Sequence, residues 1–369
     1  MSRPHKWISW LRTFLCNIRK FESSEIRILY GVKMGLFLMV VLAMGLTINR
    51  EMIFACLGTL FIASISISVL EENRSTKSKI NTLLVVSILN ASAFTIGTIV
   101  ATMSFLVVSL SALALFIIAY AGVYPNAVKF ILVVSLTFSI GIGQSAGSVI
   151  AIGEQFLLVL IGGLWGLLGS IIPIRVTHLV SEPRAETAPV YLEPTRFPVT
   201  HLERIRPLLS NLSIRSEQFR FAVAIATTGA IGLMIAVDLG LQKQYWVLTT
   251  ICIIFLRSSI STIFSFTSMR IIGTIIGAAI ASVITAYVYY PGLLLSFLFP
   301  FATMHLAMSR VNEILATILL STFVLVLLNI MSHGQMLLAQ TRILDAIVGA
   351  GLALAGVLAL WSVSQWKRL

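Results

Sequence analysis

The chain has little charge. Asp, Glu, Lys and Arg make up 11% of its 369 residues, against about 25% in an ordinary soluble domain. Hydrophobic residues make up 58% of the sequence, a balance that excludes a soluble enzyme and also a disordered chain, which would be rich in charge. Because a membrane-crossing helix needs about 20 apolar residues, a chain of this length has room for roughly twelve such helices joined by short connections.

Metal-ligand and disulfide patterns are also missing. Cys16, Cys56 and Cys252 are far apart and none belongs to a Cys-x-x-Cys pair, so neither a zinc site nor a disulfide framework is predicted. The histidines are scattered, and no phosphate-binding glycine loop occurs. Residues 143–147 read Gly-Gln-Ser-Ala-Gly, the pattern of a serine hydrolase, but they join two apolar runs instead of a strand and a helix. We therefore predict no metal, no cofactor and no enzymatic activity.

Acidic residues are fewer than basic ones, 14 against 26, which gives a net charge of +12. The basic residues lie in the gaps between apolar runs, a distribution that orients membrane helices and does not form a nucleic-acid surface. Of the 26, 22 fall in one alternating set of connections, three (Arg50, Lys243 and Arg342) fall in the other set, and Lys33 lies within the first run. The positive-inside rule then predicts that both termini and the central polar stretch are cytoplasmic.

The apolar runs are arranged as six, a polar stretch and six more. We predict an all-α polytopic membrane protein with about twelve transmembrane helices, arranged as two parallel six-helix repeats. Its predicted parts are an amphipathic cytoplasmic N-terminal helix at residues 1–27, a first membrane repeat at 28–174, an extended cytoplasmic linker at 175–217 and a second membrane repeat at 218–369. A disordered basic tail is the alternative for the first part.

An internal repeat relates the two halves. A shift of 193 residues places residues 25–27 on residues 218–220 and Lys77 on Arg270, with the apolar runs in step. Because each half has an even number of runs, the two copies would have the same orientation in the membrane. Transporters built in this way usually hold their substrate between the halves, near the middle of the membrane.

Arg257 is the clearest candidate for a binding residue. Tyr245 and Trp246 form a pair that is typical of the membrane interface. Arg257 lies 12 residues after Tyr245, which corresponds to about 18 Å of helix. On the repeat shift it coincides with Ser64, inside the second run. A cation within the membrane is costly unless it pairs or faces water, and is therefore a functional candidate. The alternative is an arginine that ends a short helix and extends to the surface.

Three other ionisable residues lie in or near the apolar runs. Lys33 can bind an anion or extend to the inner surface. Asp345 lies one helical turn after Arg342 and can form a local ion pair or carry a proton. His305 titrates near neutral pH and can carry a proton or pack through a hydrogen bond.

Three segments of the second half resemble a known family. Residues 245–249 read Tyr-Trp-Val-Leu-Thr and residues 270–277 read Arg-Ile-Ile-Gly-Thr-Ile-Ile-Gly. Both segments resemble the signature of the fusaric-acid-resistance family, also called the aromatic acid exporters, and residues 341–349 resemble that family's last-helix pattern. The resemblance implies proton-driven export of aromatic carboxylates or related organic anions across a bacterial inner membrane. The first half has Met52 and Ile53 in place of the Tyr-Trp pair, so the halves are not expected to contribute equally.

We therefore expect a transporter that exports small organic anions, above all aromatic carboxylic acids, with proton coupling. An aromatic carboxylate needs a cation for its charge, apolar or aromatic walls for its ring, and donors that fix its orientation. The predicted substrate-binding residues are Arg257, Trp246, Thr249, Arg270, Thr274, Ser64 and Lys33, and the predicted proton-coupling residues are Asp345 and His305.

Two alternatives to an exporter stay open on the sequence. An anion channel would line a pore with the same residues and conduct without proton coupling, and a membrane scaffold of an envelope complex would not transport at all. The expected partners are the organic anion and the lipid bilayer. A periplasmic adaptor protein and further copies of the chain are candidate partners, and nucleic acid is not expected.

Overall fold

The computed structural model describes most of the chain outside its N-terminal segment and the central polar stretch. The described residues are 25–48, 50–70, 75–103, 106–124, 127–144, 148–172, 201–241, 243–257, 263–288, 290–309, 312–332 and 337–366. Residues 1–24 of the predicted amphipathic helix and most of the linker therefore lie outside the described residues, as does Ser145 of the Gly-x-Ser-x-Gly pattern.

Thirteen α-helices and no strands occur within these ranges. In chain order the helices are α1 (Glu25–Thr47), α2 (Ile53–Leu70), α3 (Thr76–Thr102), α4 (Val107–Tyr120), α5 (Val128–Ile142), α6 (Val149–Ile171), α7 (His201–Asn211), α8 (Glu217–Asp238), α9 (Tyr245–Arg257), α10 (Ile263–Tyr287), α11 (Pro291–Met308), α12 (Glu313–Ser332) and α13 (Leu337–Trp366). Local sequence marks several starts, because Ser75, Ser148 and Ser216 accept a hydrogen bond from the backbone N–H three residues later. Pro291, which lacks an N–H, occupies the start of α11.

Seven of the helices are long and apolar enough to cross a membrane: α1, α3, α6, α8, α10, α12 and α13. Five shorter apolar helices, α2, α4, α5, α9 and α11, occupy the other predicted runs. A helix satisfies its own backbone hydrogen bonds, which lipid cannot do, so this composition and length fit the membrane interior. The chain is an all-helical, multi-pass membrane protein in the part that the structure describes. The expectation of twelve crossings depends on the five shorter helices and stays a prediction.

Within each half, helices that are distant in sequence pack together. In the first half α2 packs against α6 and α3 packs against both α5 and α6. In the second half α9 packs against α13 and α10 packs against both α12 and α13. Each membrane half therefore has its own helix–helix core.

Contacts between the halves join α1 to α11, α4 to α8 and α5 to α9. The largest hydrophobic cluster lies across two of these contacts and includes Leu115 of α4, Phe138 of α5, Ile225 of α8 and Leu248 of α9. These four side chains are fully buried or nearly so. The two halves consequently share apolar core surface and do not merely touch.

Glycines allow several of these helices to approach closely. A Cβ at Gly162 of α6 would collide with the carbonyl oxygen of Ala55 in α2, and one at Gly277 of α10 would collide with that of Ile318 in α12. A Cβ at Gly31 of α1 would collide with the carbonyl oxygen of Thr303 in α11. The four-residue spacing of small residues, as in Gly31 with Gly35 and Gly162 with Gly166, predicts this kind of packing, and the structure confirms it.

Two boundaries differ from the sequence expectation. The linker was expected to be extended, but α7 forms at residues 201–211, because four of the five linker prolines precede it and only Pro207 lies within it. The eighth apolar run was expected to cover residues 244–266, but α9 ends at Arg257 and α10 begins at Ile263.

Candidate functional site

A cavity of about 440 Å³ lies between the two halves. Residues of α2 and α5 from the first half and of α9, α10, α11 and α12 from the second half line it. Its polar lining includes Ser64, Ser68, Arg270, His305, Ser309, Glu313 and Thr317, and most of the remaining lining is leucine, isoleucine, valine and phenylalanine. The cavity thus combines apolar walls with a few polar groups, as ligand sites usually do.

Arg270 and Glu313 form an ion pair in the wall of this cavity. Nη1 of Arg270 is 4.0 Å from Oε1 of Glu313, and the exposed fractions of the two side chains are 7% and 20%. Arg270 is buried because α10 begins at Ile263, seven residues earlier, so that the arginine lies about 10 Å along the helix. Removing two charges from water is costly, so a pair of this kind is retained only where its geometry or its function compensates.

His305 of α11 lines the same cavity. Its Nδ1 lies 3.0 Å from the carbonyl oxygen of Ala316 in α12. A carbonyl oxygen can only accept a hydrogen bond, so Nδ1 carries the hydrogen in this contact, and in the neutral ring Nε2 is then the nitrogen that can bind a further proton. The ring therefore joins α11 to α12 and also supplies a proton-binding atom.

The hydroxyl groups of the cavity are held by their own helices. Thr317 donates to the carbonyl oxygen of Glu313 at 2.8 Å, and Ser64 donates to that of Phe61 at 2.8 Å. A hydroxyl that donates in this way keeps its lone pairs available, and it can donate elsewhere only after rotating. In the present arrangement Arg270 is therefore the strongest donor on the cavity wall.

A second polar cluster lies one or two turns along α9 from the cavity and joins α9 to α13. The guanidinium carbon of Arg342 is 4.6 Å from the ring centre of Trp246, within cation–π range. Arg342 is 8% exposed and Asp345 is fully buried. Within the described part of the chain, the two carboxylate oxygens of Asp345 and Nη1 of Arg342 have no hydrogen-bond partner. Trp246 lies seven residues before Ile253, which lines the cavity, so about 10 Å of helix separates the two places.

The structure brings some of the predicted site residues together and separates others. Ser64, Arg270 and His305 all line the cavity, and Thr274 is buried one helical turn after Arg270. Trp246 and Asp345 belong to the second cluster instead.

Three further predicted residues also lie outside the cavity lining or outside what can be described. Thr249 donates to the carbonyl oxygen of Tyr245 at 2.7 Å, within its own helix. The side chain of Arg257 lies outside the described residues, although its backbone ends α9. Lys33 donates to the carbonyl oxygens of Ser170 and Ile172 at the end of α6, at 3.4 and 3.0 Å. Such a cation satisfies carbonyls that have no partner within the helix.

Glu313 and Thr317 were not predicted from the sequence. Glu313 begins α12 and stands three residues after Arg310, so its sequence context is that of a charged connection. Asn312 caps this helix by accepting from the N–H of Leu315 at 3.1 Å. An acidic residue at a capped helix start, followed one turn later by a hydroxyl residue, is the pattern that could have indicated this site. Among the described residues, no group of His, Cys, Asp and Glu is arranged to hold a metal ion.

Comparison with known proteins agrees with the resemblance of the sequence. The family model described as fusaric acid resistance protein-like matches residues 221–356, a range that includes Arg270, Glu313 and Asp345. No curated protein and no solved structure matches the chain. Together with the apolar helices, the family match indicates a membrane transporter. Residues 221–356, which make up most of the second half of the chain, are thus similar to the fusaric-acid-resistance family.

Proposed function

We propose that this protein exports small organic anions, above all aromatic carboxylic acids, across a bacterial inner membrane. The observation that carries the proposal is a guanidinium, that of Arg270, in the wall of a cavity between the two membrane halves. A guanidinium can hold a carboxylate with two parallel hydrogen bonds, and such charge-assisted bonds are roughly twice as strong as neutral ones. A buried cation inside a membrane protein is by default part of a substrate or ion pathway.

The dimensions and the walls of the cavity suit a single-ring carboxylate. Sites for small molecules usually measure about 300–1,000 Å³, and this cavity measures about 440 Å³. Phe61 and Leu132 offer apolar contact for a ring, while Ser64 and Thr317 lie near enough to fix its polar substituents after rotation.

Structural repeats would explain how such a cavity opens alternately to the two sides. We propose that α1–α6 and α8–α13 are parallel repeats and that all twelve helices cross the membrane. The packing of α2 with α6, of α3 with α5 and of α1 with α11 recurs as α9 with α13, α10 with α12 and α8 with α4. Recurrence of three independent helix pairs, two within a half and one between halves, supports an axis along the membrane normal.

The remaining predicted residues receive roles that fit their surroundings. His305 is proposed to carry the coupled proton within the cavity, and Asp345 to carry it in the second cluster beside Arg342. Trp246 would stabilise that cluster through its ring, whereas Thr249 and Thr274 would line the path along α9 and α10. Arg257 is proposed as a second cation for the anion.

Lys33 is proposed to act mainly in folding. Its donation to the last carbonyls of α6 supports a structural role, because it both neutralises the negative end of that helix and joins α1 to α6.

Counterflow in proteoliposomes tests the transport proposal. Labelled benzoate should accumulate in vesicles preloaded with unlabelled benzoate, because a carrier exchanges one for the other. Arg270→Gln should weaken benzoate binding by about ten- to a hundredfold, since a hydrogen bond to a charged group contributes about 1.5–3 kcal/mol. Arg270→Lys should restore part of the loss by keeping the charge without the planar fork. Arg257→Gln should also abolish counterflow if that residue is the second cation.

The matched control is Arg215→Gln, at an exposed position in the connection between α7 and α8. It should transport like the parent protein. Near-normal counterflow by a monodisperse Arg270→Gln protein would contradict the proposed binding site. Current without counterflow would indicate an anion channel, and neither signal would indicate a scaffold.

A further inference from the structure

We propose that a groove between α8 and α13 binds one anionic phospholipid, whose phosphate is held by Arg220. The groove measures about 690 Å³ and shares no lining residue with the cavity at Arg270. The inference therefore goes beyond the proposed transport activity and concerns the contact between the protein and its membrane.

Two helix faces form the groove. Val223, Thr227 and Ile231 stand four residues apart on α8, so they lie along one side of that helix. Ala355 and Ala359 stand four residues apart on the facing side of α13. Because these alanine side chains are short, they do not fill the space against α8. An open channel therefore remains between the two helices.

The wall of the groove is apolar and open to the outer surface. Val223 is 37% exposed and Ile231 is 50% exposed. The hydroxyl of Thr227, which lies between them, donates to the carbonyl oxygen of Val223 at 2.8 Å and is satisfied within its own helix. In a membrane such a wall contacts hydrocarbon and not water. An acyl chain is therefore the kind of ligand that suits this wall.

The length of the groove matches one leaflet of a bilayer. The lining of α8 extends from Arg220 to Ile231, eleven residues later, which corresponds to about 16 Å of helix. Half of a hydrocarbon core about 30 Å thick measures about 15 Å. One acyl chain of a single leaflet can therefore follow the groove from the membrane surface to the middle of the membrane.

Arg220 lies at the end of the groove where a headgroup would bind. It lies in the first turn of α8, three residues after Glu217, and long basic side chains near helix ends extend to the membrane surface. Among the described residues that line the groove, Arg220 is the one charged side chain. If the basic connections mark the cytoplasmic side, this end faces the headgroups of the inner leaflet.

The guanidinium of Arg220 has a donor to offer. Its Nε is buried and has no hydrogen-bond partner within the described part of the chain. A buried donor without a partner is costly, and a charged one more so. A phosphate oxygen would accept from it, and a guanidinium can hold a phosphate with two parallel hydrogen bonds. Basic pockets between transmembrane helices on the cytoplasmic side are known binding places for anionic headgroups.

The groove suits a phospholipid better than two other occupants. A single-ring carboxylate would reach Arg220 but would leave most of the apolar channel empty. A second copy of the chain would have to bring an acidic side chain to Arg220, and only 14 of the 369 residues are acidic. Phosphatidylglycerol supplies both the acyl chain and a phosphate, and its headgroup carries no ammonium group that would compete with the guanidinium, as that of phosphatidylethanolamine does.

Equilibrium binding of radiolabelled dioleoyl phosphatidylglycerol to the delipidated full-length protein in detergent tests the proposal. The parent should bind it saturably, and unlabelled phosphatidylglycerol should compete better than phosphatidylethanolamine. Arg220→Gln should bind about tenfold more weakly or worse, which is the loss expected for a hydrogen bond to a charged group. Arg220→Lys should have an intermediate affinity, because it keeps the charge without the planar fork.

A second variant tests the groove without changing the charge. Ala355→Trp places a large side chain at an exposed position of the lining and should weaken binding while Arg220 stays intact. Leu358→Trp is its matched control, because Leu358 is 38% exposed on the same helix and does not line the groove. Lys77→Gln, at an exposed position in the first turn of α3, is the control for the loss of a charge. Both controls should bind like the parent.

Each contrary result has a distinct meaning. The absence of saturable binding to the parent would overturn the proposal, and a dimer that Ala355→Trp separates would then assign the groove to a second copy of the chain. Unchanged binding by monodisperse Arg220→Gln would reject Arg220 as the headgroup site, and unchanged binding by Ala355→Trp would reject the groove. Competition by inorganic phosphate as strong as that by phosphatidylglycerol would assign Arg220 to a soluble anion. Benzoate counterflow is measured separately, so failure of the lipid site leaves the transport proposal standing.

Discussion

The burial of Arg342 and Asp345 is costly in free energy unless the two charges compensate each other. Both are buried in the second cluster, one helical turn apart on α13. Within the described residues, Nη1 of Arg342 and both carboxylate oxygens of Asp345 have no hydrogen-bond partner. The ring of Trp246 contacts the guanidinium from α9. A buried charge that loses its only opposite neighbour is left uncompensated, which costs more than replacing both members by neutral residues.

A double-mutant cycle on these two residues should therefore be strongly non-additive. Arg342→Gln and Asp345→Asn should each lower the free energy of unfolding by about 3–5 kcal/mol. The loss in the double variant should be no more than slightly larger than the loss in either single variant. The measurement is the unfolding temperature of the purified protein in detergent. It is obtained from the fraction of protein that is still monodisperse after heating. Simple additivity of the two losses would show that the charges do not interact and would leave their burial unexplained.

The sequence predicted three of the seven polar residues that line the cavity. The repeat shift indicated Ser64, the family signature indicated Arg270, and His305 is ionisable within an apolar run. All three line the cavity. Glu313 was missed because it stands at a helix start, where an acidic residue is ordinary and is favoured by the helix dipole. Only the packing of α12 against α10 turns that helix start toward Arg270, and packing between helices distant in sequence cannot be read from composition.

The helices themselves follow closely from the apolar runs. Each of the predicted runs overlaps most of one of the helices α1–α6 or α8–α13. Boundaries were less predictable, because the sequence between Tyr245 and Gly273 contains no glycine or proline that would mark where α9 ends and α10 begins. The difference matters for function. The early start of α10, at Ile263, is what buries Arg270 instead of leaving it at a helix end.

Glycine contacts should decide how stable a helix pair is. Gly162→Ala should destabilise the α2–α6 pair by about 1–3 kcal/mol, because the added methyl group meets the backbone of Ala55, which cannot rotate away. Gly153→Ala is the matched control in the same helix, with no atom within 4 Å of the added Cβ. It should be neutral or stabilising, since alanine favours a helix over glycine by about 1 kcal/mol. Thermal unfolding in detergent measures both, and equal effects would contradict the packing.

The molecule as a whole departs from the symmetry that its helix pairs suggest. In one contact between the halves α5 packs against α9, where Ser139 lies 3.9 Å from the sulfur of Cys252. The counterpart of that contact would be α2 against α12, and there the cavity lies between residues of the two helices, Ser64 and Thr317 among them. The small side chains of Ser139 and Cys252 meet between α5 and α9, whereas the cavity separates α2 from α12. The ionisable residues that line the cavity, Arg270, His305 and Glu313, all belong to the second half. The two halves therefore contribute unequally to this site.

The orientation of the whole molecule in the membrane is open to a direct test. If 22 of the 26 basic residues mark the cytoplasmic side, a cysteine at position 181 in the linker should face the cytoplasm, while one at position 150, at the exposed start of α6, should face outward. In a background with Cys16, Cys56 and Cys252 replaced by alanine, a membrane-impermeant maleimide should label Ile150→Cys in intact spheroplasts. It should label Ser181→Cys only after permeabilisation, because a charged reagent cannot cross the bilayer core. The reverse pattern would mean that the molecule has the opposite orientation and would place the Arg270 cavity at the opposite depth, whereas labelling of both from outside would mean that α6, the helix between the two positions, does not cross the membrane.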